Sequence, residues 1–115
     1  METKNLDWGN LSFGYIKTDK RFVANYKNGN WDEGMLTEDD RVIITECAGV
    51  LQYAQTCFEG LKAYTTENGS IVTFRPDLNA QRMENSCLRL EMPVFPCERF
   101  INAVVETVKA NLAWV

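Results

Sequence analysis

The spacing of apolar residues changes at Arg75-Pro76, and this change is the strongest constraint on the fold. Before it, short apolar runs are separated by turn residues, and two of the separations contain the Asn-Gly steps Asn28-Gly29 and Asn68-Gly69. An Asn-Gly step favours two-residue hairpin turns because both central positions need a positive φ. After Pro76, apolar residues recur every three or four positions, as in amphipathic helices. The sequence therefore predicts two hairpins followed by two helices.

The predicted strands lie on either side of the two Asn-Gly steps. The first hairpin pairs residues 21–26 with the segment around Trp31. The second pairs residues 58–64 with residues 70–74, whose β-branched and aromatic side chains suit a half-buried pleated surface. Residues 42–44, Val-Ile-Ile, form a further short apolar run that we predict to be a strand.

Proline marks the start of each predicted helix. The first helix should begin at Pro76, carry Asp77 in its first turn and end near Met92-Pro93. The second should begin near Pro96. Each helix has an apolar stripe: Ala80, Met83, Cys87 and Leu90 in the first, and Phe100, Ile101, Val104, Val105, Val108 and Leu112 in the second. This order predicts an α+β two-layer sandwich, with the helices on one face of a mostly antiparallel sheet.

The length of 115 residues allows a single domain. Residues 1–12 are polar and are predicted to be an N-terminal arm, so the domain would comprise residues 13–115. The sequence ends in Ala113-Trp114-Val115, directly after the second predicted helix. We therefore expect the chain to be a piece of a longer protein, truncated before a further domain.

Charge and histidine content exclude several classes of function. The chain contains no histidine, which removes Ser-His and Cys-His nucleophile pairs and His-ligated metal sites. A net charge of −4 argues against nucleic-acid and anionic-membrane partners. No apolar run approaches the roughly 20 residues of a membrane span, and the N-terminal residues do not resemble a signal peptide. We expect a soluble, cytoplasmic protein.

The four cysteines, Cys47, Cys57, Cys87 and Cys97, contain no C-x-x-C pair. Their spacing is wrong for zinc, so no metal site is predicted. Cys57 and Cys87 lie among apolar residues, where a free cysteine behaves as a small hydrophobic side chain. Because secretory signals are absent, buried thiols are favoured over disulfides.

No set of residues in the sequence is sufficient for catalysis by itself. Of the six lysines, only Lys62 lies in an apolar run, and an exposed strand position is favoured even there. Arg75 and Arg82 could hold an anion through their forked donors. The helical wheel separates Arg82 from the apolar stripe, which favours a solvated side chain. The alternative is that a missing part of the protein covers this face.

Several ordered motifs resemble the branched-chain amino acid aminotransferases. The sequence F-E-G-L-K-A-Y at residues 58–64 is followed by F-R-P-D-L-N-A-Q-R-M at 74–83 and S-C-L-R-L-E-M-P at 86–93. Y-A-Q-T-C-F-E-G at 53–60 and Phe13-Gly14 agree with the same family. The resemblance extends from about residue 13 to the last residue, with order and spacing intact.

The resemblance implies the small N-terminal domain of a fold-type IV pyridoxal-phosphate enzyme. In that family the arginine of the Gln-Arg-Met segment, here Arg82, contacts the cofactor phosphate. The pocket for the branched side chain would draw on Phe13, Tyr53 and Phe58, since aromatic walls suit apolar substrates. The lysine that holds the cofactor lies in the large domain of the family, beyond residue 115, so no catalytic residue is expected here.

The implied reaction moves the amino group of Leu, Ile or Val to 2-oxoglutarate, giving glutamate and branched 2-oxo acids. Family members are commonly homodimers, and the 115-residue piece itself is expected to be inactive. Two alternatives remain: a stand-alone, non-catalytic binding module, and a related enzyme acting on D-amino acids or aminodeoxychorismate. From pattern alone, Tyr53 and Phe58 could equally be core residues.

Overall fold

Short antiparallel strands precede two long helices in the computed structural model, which describes residues 3–115. The α+β class predicted from the sequence is confirmed. The strands form three separate two-stranded pairs, β1 with β4, β2 with β3, and β5 with β6. In chain order the elements are β1 (Arg21–Val23), β2 (Tyr26–Lys27), β3 (Asn30–Trp31), β4 (Met35–Thr37), α1 (Gly49–Tyr53), β5 (Ala63–Thr65), β6 (Ile71–Thr73), α2 (Pro76–Arg89) and α3 (Cys97–Ala110).

The first hairpin turns at Asn28-Gly29, as the sequence predicts. Both residues have positive φ, 52° and 82°, which the two-residue turn requires. Tyr26 faces Trp31 across the β2–β3 pair, and their rings meet edge to face with centroids 5.3 Å apart. The β1–β4 pair continues the same hairpin outward, with Val23 opposite Met35.

The second hairpin pairs β5 with β6, and Thr65 lies opposite Ile71. Gly69 supplies the positive φ of its turn, 81°, and the Asn68 side chain accepts a 3.1 Å hydrogen bond from the Ser70 amide. The strands are shorter than predicted. Residues 58–62 are irregular, and Glu59 and the Gly60 carbonyl accept hydrogen bonds from Asn79 on α2.

Helix α2 begins at Pro76, as predicted, and ends at Arg89, where backbone hydrogen bonds cap its last turn. The Glu91 amide donates to the Leu88 carbonyl at 3.3 Å, and the Met92 amide donates to the Cys87 carbonyl at 2.9 Å. This is the Schellman arrangement, and Glu91 occupies its left-handed position with φ 53°. The cap stops the helix three residues before the predicted end at Met92.

Asn111 fastens the end of α3 to the residue before β1. Its side-chain amide donates to the carbonyls of Lys20 and Thr107, both at 2.7 Å, and its oxygen accepts from the Lys20 amide at 2.9 Å. Only 7% of Asn111 is exposed. Because all its polar atoms are satisfied, this buried amide ties the first strand to the second long helix.

The core lies where α2 packs on α3, and α3 in turn contacts β1 and β4. Ala80 and Cys87 on α2 are its most enclosed apolar residues, with 1% and 4% exposure. The first hairpin joins this core through Trp31, whose indole N–H donates to the Val94 carbonyl at 2.8 Å and whose ring packs on Phe95.

The predicted strand at residues 42–44 is wrong. These residues are irregular, and Ile43 is 89% exposed. A strand needs a hydrogen-bonded neighbour, and no other strand in residues 3–115 pairs with this segment. Apolar composition favours a strand but does not supply the partner.

The polar N-terminal segment contacts the other end of the chain. The Lys4 amide donates to the Ala113 carbonyl at 2.7 Å, and the Lys4 ammonium lies 5.4 Å from the centre of the Trp114 ring. Residues 1 and 2 of the predicted arm lie outside the described residues. The division between residues 1–12 and 13–115 stays a prediction.

Candidate functional site

Arg82, the predicted phosphate ligand, forms an ion pair with Glu59. Its Nε donates to Glu59 Oε2 at 3.1 Å, and its Nη2 donates to Glu59 Oε1. The two side chains differ in exposure, with 63% of Arg82 and 8% of Glu59 accessible. The carboxylate is therefore enclosed while much of the guanidinium faces outward.

Asn79 completes the network beneath this ion pair. It lies one turn before Arg82 on α2, so the two side chains share a face of the helix. Its amide donates to Glu59 Oε1 at 2.7 Å and to the Gly60 carbonyl at 3.0 Å. Asn79 is 7% exposed, and the network thus joins α2 to residues 59–60 through buried polar contacts.

Charge pairing in this network favours ionised side chains. The hydrogen bond from Arg82 is the main cause that lowers the pKa of Glu59 from its ordinary value of 4.5, and Asn79 adds to it while burial opposes it. The same bond raises the pKa of Arg82. Glu59 is therefore a carboxylate near neutral pH, fixed along one edge of the guanidinium.

The arrangement leaves donors of Arg82 available to an anion. A guanidinium has five N–H groups in a fixed fork. The Glu59 carboxylate accepts a hydrogen bond from one N–H on Arg82 Nε and from one N–H on Nη2. The Arg82 Nη1 has no hydrogen-bond partner among residues 3–115. An exposed, oriented arginine with free donors suits a phosphate group. The residues present thus fit one phosphate anchor of a pyridoxal phosphate site.

Lysines that could hold the cofactor covalently would need a desolvated setting. All six lysines of the chain are exposed, including Lys62 in its apolar run. The exposed position predicted for Lys62 is confirmed, although it lies just before β5 rather than within a strand.

The three aromatic residues predicted to line a substrate pocket are exposed. Phe13 lies in the irregular N-terminal part, Tyr53 ends α1, and Phe58 follows Cys57; their exposed fractions are 112%, 86% and 89%. Tyr53 and Phe58 thus lie outside the core formed by residues 3–115. Phe58 lines an open depression beside α2 together with Cys57 and Arg89, and neither Phe13 nor Tyr53 lines it.

A larger apolar cavity of about 510 Å³ lies between the first hairpin and α3. No ionisable side chain lines it, and its one hydroxyl, from Thr107, donates to the Ala103 carbonyl at 2.8 Å. This cavity can accommodate apolar groups but offers no acid, base or nucleophile. Its walls include Phe22, Trp31, Leu61, Phe95, Phe100 and Val104.

Metal-ligand clusters and membrane-spanning helices are both absent from residues 3–115. No cluster of three or more His, Cys, Asp or Glu side chains is arranged to hold a metal ion in this part of the chain. No helix in it is both long enough and apolar enough to cross a membrane.

The sequence did not identify Glu59 or Asn79 as site residues, although both lie within the resembling motifs. Glu59 is 23 positions away from Arg82, and no local periodicity connects the two. The available signal was an acidic residue within an apolar segment at residues 57–61, because such a residue is seldom enclosed without a partner.

Comparison with known proteins gives curated relatives over almost the entire chain, and no family model matches. The branched-chain-amino-acid aminotransferase of Haemophilus influenzae is 54% identical over 97% of this chain and 33% of its own length. The enzyme of the same name from Helicobacter pylori is 50% identical over the same shares. An Arabidopsis thaliana protein named methionine aminotransferase is 38% identical over 96% of this chain and 32% of its own length. The chain therefore spans about a third of the length of the curated relatives it matches.

Proposed function

Because this chain belongs to the branched-chain-amino-acid aminotransferase family, we propose that it is the small N-terminal domain of a pyridoxal-phosphate-dependent transaminase. The domain would comprise residues 13–115, preceded by an arm of residues 1–12. The parent enzyme would transfer the amino group of Leu, Ile or Val to 2-oxoglutarate. The products would be glutamate and branched 2-oxo acids.

The orientation of Arg82 is the observation that supports this proposal. Glu59 engages one edge of its guanidinium, and 63% of the side chain remains accessible. In the proposed site, the free Nη1 donors bind the cofactor phosphate. Glu59 and Asn79 hold the guanidinium in place, so less side-chain freedom is lost when the phosphate binds.

Bound pyridoxal phosphate supplies the electron sink for amino transfer, while the protein supplies orientation and electrostatics. The contribution of this chain is to anchor the phosphate end. We place the lysine that would hold the cofactor and move the proton in the remaining part of the enzyme, as the family resemblance implies. The chain by itself is accordingly proposed to be inactive.

The exposed rings of Phe13, Tyr53 and Phe58 form the proposed wall for the substrate side chain. Leu, Ile and Val offer only apolar side chains for recognition, and aromatic surfaces exclude water around them. The high exposure of these rings in this chain is compatible with a pocket completed by the rest of the enzyme.

Two further properties of the whole enzyme are proposed from the family resemblance. We propose that the enzyme is a homodimer and that it is cytoplasmic.

Substitution of Arg82 tests the phosphate anchor. In the whole enzyme, Arg82→Ala should weaken cofactor binding by roughly 10- to 150-fold, the loss of about 1.5–3 kcal/mol from one charge-assisted contact. Titration of the apoenzyme with pyridoxal phosphate, followed by absorbance, measures this change. A parallel titration with pyridoxal, which lacks the phosphate, should give equal affinities for wild type and variant.

Arg89→Ala is the matched control, because Arg89 is an exposed arginine on the same helix, two turns further on. It should leave cofactor affinity unchanged. Equal losses for Arg82→Ala and Arg89→Ala, or no loss for either, would contradict the assignment of Arg82.

Substrate comparison tests the proposed reaction. The whole enzyme should transaminate Leu, Ile and Val with 2-oxoglutarate at higher kcat/KM than Met, the substrate named for one relative. D-alanine and aminodeoxychorismate should not react. Faster turnover of either would favour the related enzyme class. Activity in the isolated 115-residue chain would contradict the proposed division of the site.

A further inference from the structure

Three sulfur atoms meet where residues 57–59 lie against α2. The Cys57 Sγ is 3.8 Å from the Cys87 Sγ and 3.3 Å from the Met83 Sδ. Cys57 is half-buried, whereas Cys87 is 4% exposed. The two thiols are thus in contact across two different segments of the chain.

The other two cysteines have no such neighbour among the described residues. Cys47 is exposed, and its sulfur lies 3.2 Å from the Thr45 hydroxyl oxygen. Cys97 donates to Glu84 Oε2 at 3.0 Å. Sulfur-to-sulfur proximity therefore distinguishes the Cys57–Cys87 pair.

The environments of the paired thiols suggest an order of reaction. Cys57 is the more accessible sulfur and meets a small dissolved oxidant first. Burial, followed by the hydrogen bond with Cys57, raises the pKa of Cys87. A buried thiol of this kind reacts slowly with an oxidant but is already placed to attack its oxidised neighbour.

We propose that Cys57 and Cys87 are a redox-sensitive pair, which hydrogen peroxide converts to an intramolecular disulfide. The Cys57 thiolate attacks one peroxide oxygen, and the other oxygen leaves as hydroxide and is protonated to water, giving a sulfenic acid. The Cys87 sulfur then attacks the Cys57 sulfur and displaces the remaining oxygen as a second water. The thiols lose two protons and two electrons, and the peroxide is reduced to two waters.

The disulfide would tether the segment carrying Phe58 and Glu59 to α2. It joins residues 30 positions apart, and a crosslink restricts the unfolded chain more when it closes a longer loop. The oxidised protein should therefore unfold at a higher temperature than the reduced protein. This proposal rests on the sulfur positions alone and does not depend on the proposed transaminase.

Chemical mapping tests the crosslink directly. The variant Cys47→Ser/Cys97→Ser keeps Cys57 and Cys87 as the cysteines of this chain. After peroxide treatment, alkylation of free thiols and proteolysis, mass spectrometry should find a peptide linking Cys57 to Cys87. Its mass should be two hydrogens below the sum of the separate peptides, and dithiothreitol should reverse the link.

Single-thiol variants in the same background provide the controls. Cys57→Ser and Cys87→Ala should each abolish the linked peptide, and peroxide should not raise their unfolding temperature. Sulfinic acid at Cys57 without a linked peptide would overturn the proposal. So would complete alkylation of both thiols after peroxide, or an oxidised protein no more stable than the reduced one.

Discussion

Helices α2 and α3 are both 14 residues long, yet only α2 contains buried residues. Helix α3 has the more regular apolar stripe, whereas α2 is richer in polar residues. The difference arises from what covers each helix. Residues 57–60 and α3 enclose the inner face of α2, and the apolar side of α3 borders the 510 Å³ cavity. Periodicity identifies the face of a helix that favours burial, but a neighbouring segment decides whether that face is buried.

The largest expected effect comes from adding the same side-chain volume to each helix. Ala80→Leu should destabilise the protein by about 2–3 kcal/mol, because Ala80 is 1% exposed and the added atoms would have to displace its packed neighbours. Ala103→Leu on α3 should be neutral or stabilising by up to about 1 kcal/mol, since Ala103 borders the cavity. Urea unfolding followed by circular dichroism measures both. Equal destabilisation by both substitutions would contradict the contrast between the helices.

A smaller effect on stability is expected from removing the charge of the acidic partner in the ion pair of each helix. Glu59 pairs with Arg82 on α2, and its folded-state pKa lies below the ordinary 4.5. Its ionised form therefore stabilises the protein above about pH 4.5, and this contribution is lost as pH falls through the lowered folded-state pKa. Glu59→Gln should cost about 1 kcal/mol at pH 7, with the difference shrinking towards acid pH.

The control for Glu59 is Glu106, which pairs with Lys109 within α3 at 3.5 Å. Both of those side chains are more than half exposed, and such surface pairs contribute little. Glu106→Gln should therefore leave the free energy of unfolding nearly unchanged at every pH. Unfolding measured from pH 3 to pH 7 would show whether the pH dependence belongs to Glu59; a similar pH profile for both variants would count against it.

The smallest predicted effect is that of Glu91→Gly at the end of α2, for which Asn111→Gly at the end of α3 is the contrasting substitution. Glu91 after α2 has φ 53°, and glycine adopts this conformation without the steric cost of a side chain. Glu91→Gly should stabilise the protein by at most about 1 kcal/mol. Asn111→Gly after α3 should destabilise it, because φ is −127° and the side chain makes three hydrogen bonds. Thermal unfolding measures the stability of both variants. Destabilisation by Glu91→Gly would show that losing the contacts of the Glu91 side chain outweighs relieving the steric cost of its positive φ.

Local chemistry allowed much of the fold to be predicted from sequence. The Asn28-Gly29 turn and the start of α2 at Pro76 each depend on conformational preferences within a few residues. The strand predicted at residues 42–44 was wrong because strand formation requires a partner elsewhere in the chain. Phe13, Tyr53 and Phe58 stay predicted pocket residues, and Tyr53 and Phe58 lie outside the core formed by residues 3–115.

The site shows the same division between local and distant information. The sequence identified Arg82 as an anion-binding candidate because the motif and the guanidinium chemistry are local. It did not identify Glu59 and Asn79 as its supports, since Glu59 comes from a different segment. Only the three-dimensional arrangement revealed that one edge of Arg82 is engaged and that further donors are free.

The sequence by itself determined the α+β class, the hairpin turn at Asn28-Gly29 and the amphipathic faces of α2 and α3. These follow from backbone preferences and from residue spacing along one element. Tertiary structure decided which face became buried, which carboxylate paired with Arg82 and which two of the four cysteines came into contact. Those outcomes depend on segments distant in sequence, whose packing no local pattern encodes.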